Sequence, residues 1–193
     1  MTGWKPVLLF GAGQLCALHF EPRKHTPRVA VALITLVLLS YLLGSIPTGF
    51  LVAKAKGVDI RTVGSGNIGA TNVFRILGKG PGIFVLTADA VKGALAVIVV
   101  VALVRQVFFD GDPRAFMGIP SLEYHSRPFH VVDHFKELAG ICAILGHNYT
   151  CWLRFKGGKG IATTAGVFAA LAPQAFGIAL AAWLVVFAAS RYV

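Results

Sequence analysis

Long apolar runs separated by short basic segments dominate the chain. From Val29 to Ala53, VAVALITLVLLSYLLGSIPTGFLVA carries no formal charge, and it exceeds the roughly 20 apolar residues that a helix needs to cross hydrocarbon. A second run, Pro81 to Val104, is apolar apart from Asp89 and Lys92, and a third, Leu138 to Leu153, is shorter but uncharged. A fourth, Ile161 to Ser190, suits either one tilted helix or two short helices hinged at Ala172-Pro173. Backbone groups find no water in lipid, and no ten-residue alternation marks a barrel, so the pattern predicts an all-α, polytopic transmembrane helical bundle. Within the first run, Pro47 with Gly44 and Gly49 predicts a kink or a loosened turn.

Composition agrees with this pattern. Of 193 residues, 56% are hydrophobic and 13% charged, far below the roughly 25% charge of a soluble domain, and mean hydropathy is +0.73. The excess of 18 Lys and Arg over 8 Asp and Glu raises nucleic acid as a partner, but basic loops at one membrane face account for it with less strain, and no nucleic-acid partner is expected. Lys54, Lys56, Arg61, Arg75 and Lys79 crowd the loop after the first run, and Arg154, Lys156 and Lys159 the loop after the third. Two spans separate these loops, so both fall on one side, the cytoplasmic one by the positive-inside bias. Residues 1–28 are expected to be an N-terminal extension, either an interfacial segment or an upstream start, because neither a basic start nor a small-residue cleavage site marks a signal peptide.

The first basic loop holds VGSGNIGATN, in which Gly64, Gly66 and Gly69 spell the G-x-G-x-x-G of a dinucleotide-binding turn. That fingerprint requires a preceding buried strand in a βαβ unit, and a membrane-spanning run stands there instead. What remains is a small-residue loop whose backbone amides can approach an anion, with Ser65, Asn67, Thr71 and Asn72 as neutral hydrogen-bond partners and Arg75 as a planar fork for phosphate. The second loop, FKGGKGIATTAG, repeats the chemistry with Lys156, Gly157, Gly158, Lys159 and Gly160 and opens into an apolar helix whose first amides favour an anion. Gly160 after Lys159 excludes a Walker loop. Two phosphate cradles on one face point to one or two phosphate-bearing ligands; the alternative is that the glycines serve only close helix packing and the cations only mark topology.

Three separated segments then match a known family: SIPTGFLVAKAKGVDIRTVGSGNIGATNVFR, the ADAVKG of Ala88 to Gly93, and GHNYTCWLRFKGGKGIATTAG. From about Ser40 to Val193 the chain resembles the bacterial PlsY family of integral-membrane acyltransferases, with the motifs in the family's order. The resemblance implies that residues 29–193 form a multi-span acyltransferase domain of the bacterial inner membrane, with its site open to the cytoplasm. It implies transfer of an acyl chain from acyl-phosphate to the 1-position of glycerol 3-phosphate, giving lysophosphatidic acid and inorganic phosphate for phospholipid synthesis. It also implies that Ser65, Arg75 and Lys159 fall on site positions. The family continues past the Arg-Tyr-Val that closes this sequence with further spans and a basic His-Arg-containing segment, so a C-terminally truncated chain is expected.

The residue chemistry fits that reaction. An acyl-phosphate is a mixed anhydride with a good leaving group, so the protein supplies positioning and charge stabilisation rather than a covalent nucleophile. The sequence has neither a G-x-S-x-G elbow nor an H-x-x-x-x-D motif. Arg75 and Lys159 are expected to hold phosphates and Ser65 and Asn67 to orient the acceptor, with Gly64, Gly66, Gly69, Thr71, Asn72, Asn148, Lys156, Gly157, Gly158 and Gly160 contributing to substrate binding. The hydroxyl proton goes to a substrate phosphate or to His147, which otherwise is a packing residue. Asp89 and Lys92, three apart, either pair with each other or support the Gly64 loop. His130 and His134 are four apart, yet without a further ligand set they read, like His125 and Asp133, as part of a solvated external loop. Cys16, Cys142 and Cys151 imply no disulfide framework, and no metal or organic cofactor is expected. Two other classes remain, a phosphate-ester transporter and a non-catalytic membrane scaffold; the first lacks the internal repeat such folds show.

Overall fold

The computed structural model describes residues 26–109 and 130–190. The described residues are helical and contain no strand, and three stretches are long and apolar enough to cross a membrane: Arg28–Ala55, Lys79–Phe108 and Pro173–Ser190. Cys16, His125 and the side chains of His130 and Asp133 lie outside the described residues, as does most of the N-terminal extension. His134 is exposed, with Nδ1 3.1 Å from the Glu137 carboxylate.

The first apolar run is not one helix. Helix α1 (Thr26–Ser45) ends before Pro47, and α2 (Thr48–Ala55) restarts after it. Proline lacks an amide hydrogen and disfavours a helical residue ahead of it. The break exposes the Ile46 carbonyl, which accepts a hydrogen bond from Lys92 Nζ at 2.8 Å. After the first basic loop come α3 (Ala70–Leu77) and α4 (Lys79–Leu95), joined at Gly78 with φ +87°. A π-helical turn (Ala96–Val100) then carries the chain into α5 (Val101–Phe109).

The third run is redrawn at both ends. Helix α6 (His130–Asn148) begins eight residues ahead of the uncharged stretch and stops before its end; polar residues extend a helix readily once it leaves hydrocarbon, so hydropathy alone misplaces its start. Thr150 is extended, with its hydroxyl donating to Ser45 O at 2.5 Å, and Cys151–Leu153 form a single 3₁₀ turn. The fourth run resolves into two helices, α7 (Ile161–Leu171) and α8 (Pro173–Ser190), broken at Ala172, where the residue before proline is driven from the helical region to φ −141°, ψ 68°.

Small residues set the close crossings. A methyl group on Gly44 would lie 2.1 Å from Ala143 O, and one on Gly146 would lie 2.2 Å from Tyr41 O, so α1 and α6 touch backbone to backbone. Gly93 against Thr163 O and Gly166 against Ala90 O do the same for α4 and α7, at 2.3 and 1.8 Å. Such contacts replace the hydrophobic drive that lipid cannot supply. One buried cluster, Ala32, Leu36, Val100, Val101, Val104 and Ala139, joins α1, α5 and α6. Another, including Ala53, Ile60, Ile68, Val73, Val85 and Leu153, lies under the first basic loop and fixes it to the ends of the helices.

Candidate active site

The first glycine-rich loop owes its shape to Asn72. This side chain is 2% exposed; its Oδ1 accepts from Ser65 N at 3.0 Å, and its Nδ2 donates to the carbonyls of Ile60, Val63 and Asn67 at 3.2, 3.1 and 2.9 Å. Asn67 Oδ1 accepts from Gly69 N at 2.8 Å, and Gly66 N donates to Val63 O at 3.1 Å. Gly64 and Gly66 sit at φ +61° and +68°, where a side chain is strained. The amides of Ser65, Gly66 and Gly69, expected to face an anion, are thus engaged in holding the loop together. What the loop presents outward is side chains: Ser65, Asn67, Thr71 and, from the last turn of α3, Arg75.

The second loop is built differently. Gly157 N donates to Asn148 O at 3.0 Å and Gly158 N to His147 O at 3.1 Å, so these amides also have partners. A methyl on Gly157 would lie 2.0 Å from His147 O, and one on Gly158 would lie 2.1 Å from His147 Nε2. Close packing therefore explains this glycine pair. Gly160, at φ +74°, faces Asn148 Oδ1 and caps α7. Because Thr164 N is the amide that bonds Gly160 O at 2.8 Å, the amides of the first turn of α7 have no intrahelical acceptor and leave a positive dipole end at the loop.

Both loops open onto one cleft of about 260 Å³. Its walls include Ser65, Asn67, Gly69, Thr71, Asn72 and Arg75 from the first loop and α3, and Lys159, Gly160, Ile161 and Ala162 from the second loop and α7; Asp89 and His147 form a buried part of the wall. Gly66, Lys156 and Gly157 line a separate cleft that shares no residue with the first. Gly64, Gly158 and Asn148 line neither cleft; they hold the loops in place.

A polar cluster buried among α2, α4 and α6 backs the cleft. Asp89 and Lys92 form an ion pair at 2.8 Å with both side chains at most 5% exposed. Thr48 donates to Asp89 Oδ1, and His147 Nδ1 stands 3.7 Å from that oxygen, beyond direct hydrogen-bond reach. Burial of isolated charges is costly, but a paired and hydrogen-bonded group is tolerated. Mutual pairing is therefore the outcome for Asp89 and Lys92, with the added consequence that their charges cancel and the cleft keeps the charge of Arg75 and Lys159. Neither of those cations has a carboxylate within 4.0 Å among the described residues. Thr48 is the residue that sequence reasoning overlooked; its signal was a hydroxyl directly after the proline break in an uncharged run. No group of three or more metal-ligating side chains occurs among the described residues.

Residues 34–193 match the family model described as glycerol-3-phosphate acyltransferase. The glycerol-3-phosphate acyltransferase of Geotalea daltonii is 43% identical over 160 residues, 83% of this chain and 69% of that protein. Its counterpart in Geobacter metallireducens is 48% identical over 145 residues, 74% of this chain and 61% of that one. Among solved structures, the crystal structure of PlsY (YgiH), an integral membrane glycerol 3-phosphate acyltransferase in its glycerol 3-phosphate form, superposes with a TM-score of 0.60 at 38% identity, over 84% of this chain and 68% of that one. A second form of the same protein, with lysophosphatidic acid, superposes with a TM-score of 0.57 at 36% identity, over 81% and 65%.

Proposed function

The chain belongs to the glycerol-3-phosphate acyltransferase family, and from that premise we propose that it transfers an acyl group from acyl-phosphate to the 1-hydroxyl of glycerol 3-phosphate in the cleft between its two glycine-rich loops. The observation that carries the reading is the convergence of Ser65 and Arg75 from the first loop and its helix with Lys159 from the second loop on one cleft with an uncompensated double positive charge. One relative, solved in a glycerol 3-phosphate form and in a lysophosphatidic acid form, supplies an acceptor form and a product form of this reaction.

The chemistry follows from charge placement. Arg75 offers a planar fork and Lys159 a point charge, complementary ways to hold two phosphoryl groups. Ser65, Asn67 and Thr71 supply neutral partners for the glycerol hydroxyls, and the first amides of α7 stabilise negative charge at the leaving phosphate. The acceptor oxygen bonds to the acyl carbon, the C–O bond of the anhydride breaks, and its electron pair leaves on inorganic phosphate. The hydroxyl proton passes to His147 or to a phosphate oxygen; Asp89 beside His147 stabilises the imidazolium in the first case. Holding both reactants supplies the orientation that an already activated donor needs.

The basic loops around the cleft support a cytoplasmic site in the bacterial inner membrane by the positive-inside bias. The test is release of inorganic phosphate from palmitoyl-phosphate with and without glycerol 3-phosphate. The expected result is acceptor-dependent release that falls by about two orders of magnitude or more in Arg75→Ala and in Lys159→Ala, the scale of a lost transition-state donor. Near-normal release in either folded variant overturns the assignment. Uptake of labelled glycerol 3-phosphate into proteoliposomes without phosphate release overturns acyl transfer in favour of transport.

A further inference from the structure

Residues of both loops also line a second and larger cleft, of about 660 Å³, walled by Asp59, Arg61, Gly66, Trp152, Arg154 and Lys156 among others. Its charge is not balanced. Asp59 is engaged by Arg61, which donates to it from Nε at 2.9 Å and from Nη2 at 2.7 Å, and the same guanidinium lies 4.9 Å from the centre of the Phe50 ring. That pair cancels, while Arg154 and Lys156 have no carboxylate within 4.0 Å among the described residues.

The segment that carries these cations is held in an unusual shape. Arg154 and Phe155 both adopt left-handed backbone, φ +54° and +60°, which non-glycine residues rarely occupy in succession. The segment is fixed at this turn by Phe155 N donating to Thr150 O at 3.0 Å, Lys156 N to Leu153 O at 3.1 Å, and the buried Leu153 beneath. The consequence is a row of outward side chains alternating in character. Tyr149, Trp152 and Phe155 are 56%, 65% and 63% exposed, and Arg154 and Lys156 are exposed between and beside them. Aromatic side chains next to cations, immediately after a helix of the bundle, are the chemistry of the headgroup layer, where rings sit at the acyl boundary and cations meet phosphate.

We propose that this second cleft binds the phosphate headgroup of an anionic membrane phospholipid, with Arg154 and Lys156 on the phosphate and Trp152 against the glycerol and upper acyl region. A soluble phosphate would use the cations and gain nothing from the rings; a lipid uses both. The site shares the backbone of both loops with the active cleft, Gly66 beside Ser65 and Lys156 near Lys159, so lipid bound there holds the two loops at the membrane surface.

The test is native mass spectrometry of the full chain released from detergent containing equal phosphatidylglycerol and phosphatidylcholine. The wild type retains phosphatidylglycerol in preference, and Arg154→Gln/Lys156→Gln lowers that retention by about an order of magnitude. Lys54→Gln/Lys56→Gln removes as much charge from the same face outside the cleft and keeps the lipid. Equal retention of the two lipids by the wild type, or equal loss in both double variants, overturns the proposal. Displacement of the lipid by millimolar inorganic phosphate assigns the cleft to a free anion and overturns it as well. A second measurement needs no change in the cleft: in a chain with Trp4 and Trp183 replaced by Phe, brominated phosphatidylglycerol quenches Trp152 more strongly than brominated phosphatidylcholine, and equal quenching counts against a specific site.

Discussion

The two glycine-rich loops look alike in composition and are built on opposite principles. In the first, between Val63 and Asn72, glycine is needed for its own backbone: Gly64 and Gly66 take positive φ, and a single buried amide, Asn72, gathers four main-chain groups around itself. In the second, Gly157 and Gly158 are needed for what they press against, the last carbonyls and the imidazole of α6. The first loop is a hydrogen-bonded knot gathered by its own Asn72 and seated on the buried cluster around Ile60 and Ile68; the second is an extension of the end of α6, and it positions Lys159 only as well as it fits that end. A glycine-rich motif therefore does not by itself mean a nest of free amides, because in both loops amides expected to meet an anion are already engaged within the protein.

The sharpest way to break this contrast is Gly157→Ala. The added methyl would fall 2.0 and 2.6 Å from the His147 and Asn148 carbonyl oxygens, and main chain at a helix end has no room to yield. Overpacking of this kind costs about 1–3 kcal/mol when side chains absorb it, and more when they cannot. The expected outcome is loss of acyl transfer together with a clear fall in thermal midpoint. Gly66→Ala meets only Arg61 O, at 3.1 Å, and costs the left-handed strain of about 1–2 kcal/mol, so it should keep measurable activity. If the two variants behave alike, the distinction between the loops is wrong.

Next in size is Asn72→Ala. It removes the partner of the Ser65 amide and of the Ile60 and Asn67 carbonyls, while Val63 O keeps the Gly66 amide, and each buried group left without a partner costs about 1–3 kcal/mol. Loss of the loop should appear as a rise in KM for glycerol 3-phosphate at least as large as the fall in kcat, because Ser65 and Asn67 lose their positions together. Asn148→Ala gives the counterpart in the second loop: its Oδ1 is buried and makes no hydrogen bond among the described residues, so truncation there should cost less. Steady-state kinetics of the two variants side by side decide the matter.

How far the sequence reveals this organisation depends on the scale of the feature. Apolar runs locate the spans, and Pro47 and Pro173 mark real breaks, because proline chemistry is local. The end of α6 was not legible: Leu138 to Leu153 is uniformly uncharged, yet Asn148 ends the helix so that Thr150 can reach Ser45 O across the bundle. Ser65, Arg75, Lys159 and His147 line one cleft although the motifs that hold them lie far apart in the chain. Lys156 and Gly157 turn away to the other cleft because left-handed backbone at Arg154 and Phe155 redirects the strand of chain between them and Trp152, and no residue type in that stretch announces such a turn.

A smaller effect is expected at the polar cluster behind the cleft. Thr48 donates to Asp89, which stands beside His147 and is paired with Lys92, so Thr48→Val removes a hydrogen bond to a charged group worth about 1.5–3 kcal/mol. Through His147, which Gly158 meets at both carbonyl and imidazole, the cluster adjoins the second loop as well as the wall of the cleft. The expected signature is a fall in kcat of about tenfold or somewhat more, with KM for glycerol 3-phosphate little changed and restoration by Thr48→Ser. A KM effect instead would mean that the cluster acts by shaping the first loop.

The smallest effect lies just ahead of the first loop, at Asp59. Hydrogen bonds from the Arg61 side chain and backbone hold this carboxyl at about 2, well below its ordinary 3.8. A depressed carboxylate pKa adds stability that is complete above the unfolded value and disappears as pH falls through the folded one, so this pair acts unchanged at neutral pH and weakens only between about 4 and about 2. Both groups are exposed, and exposed pairs add little to folding. Arg61→Gln should move the Asp59 carbonyl-carbon titration midpoint up toward 3.8 while leaving the thermal midpoint at pH 7 nearly unchanged. A large loss of stability at pH 7 would mean that the Arg61 side chain holds the loop through its contact with Phe50 rather than through Asp59, and the first loop would then depend on outside support as the second does.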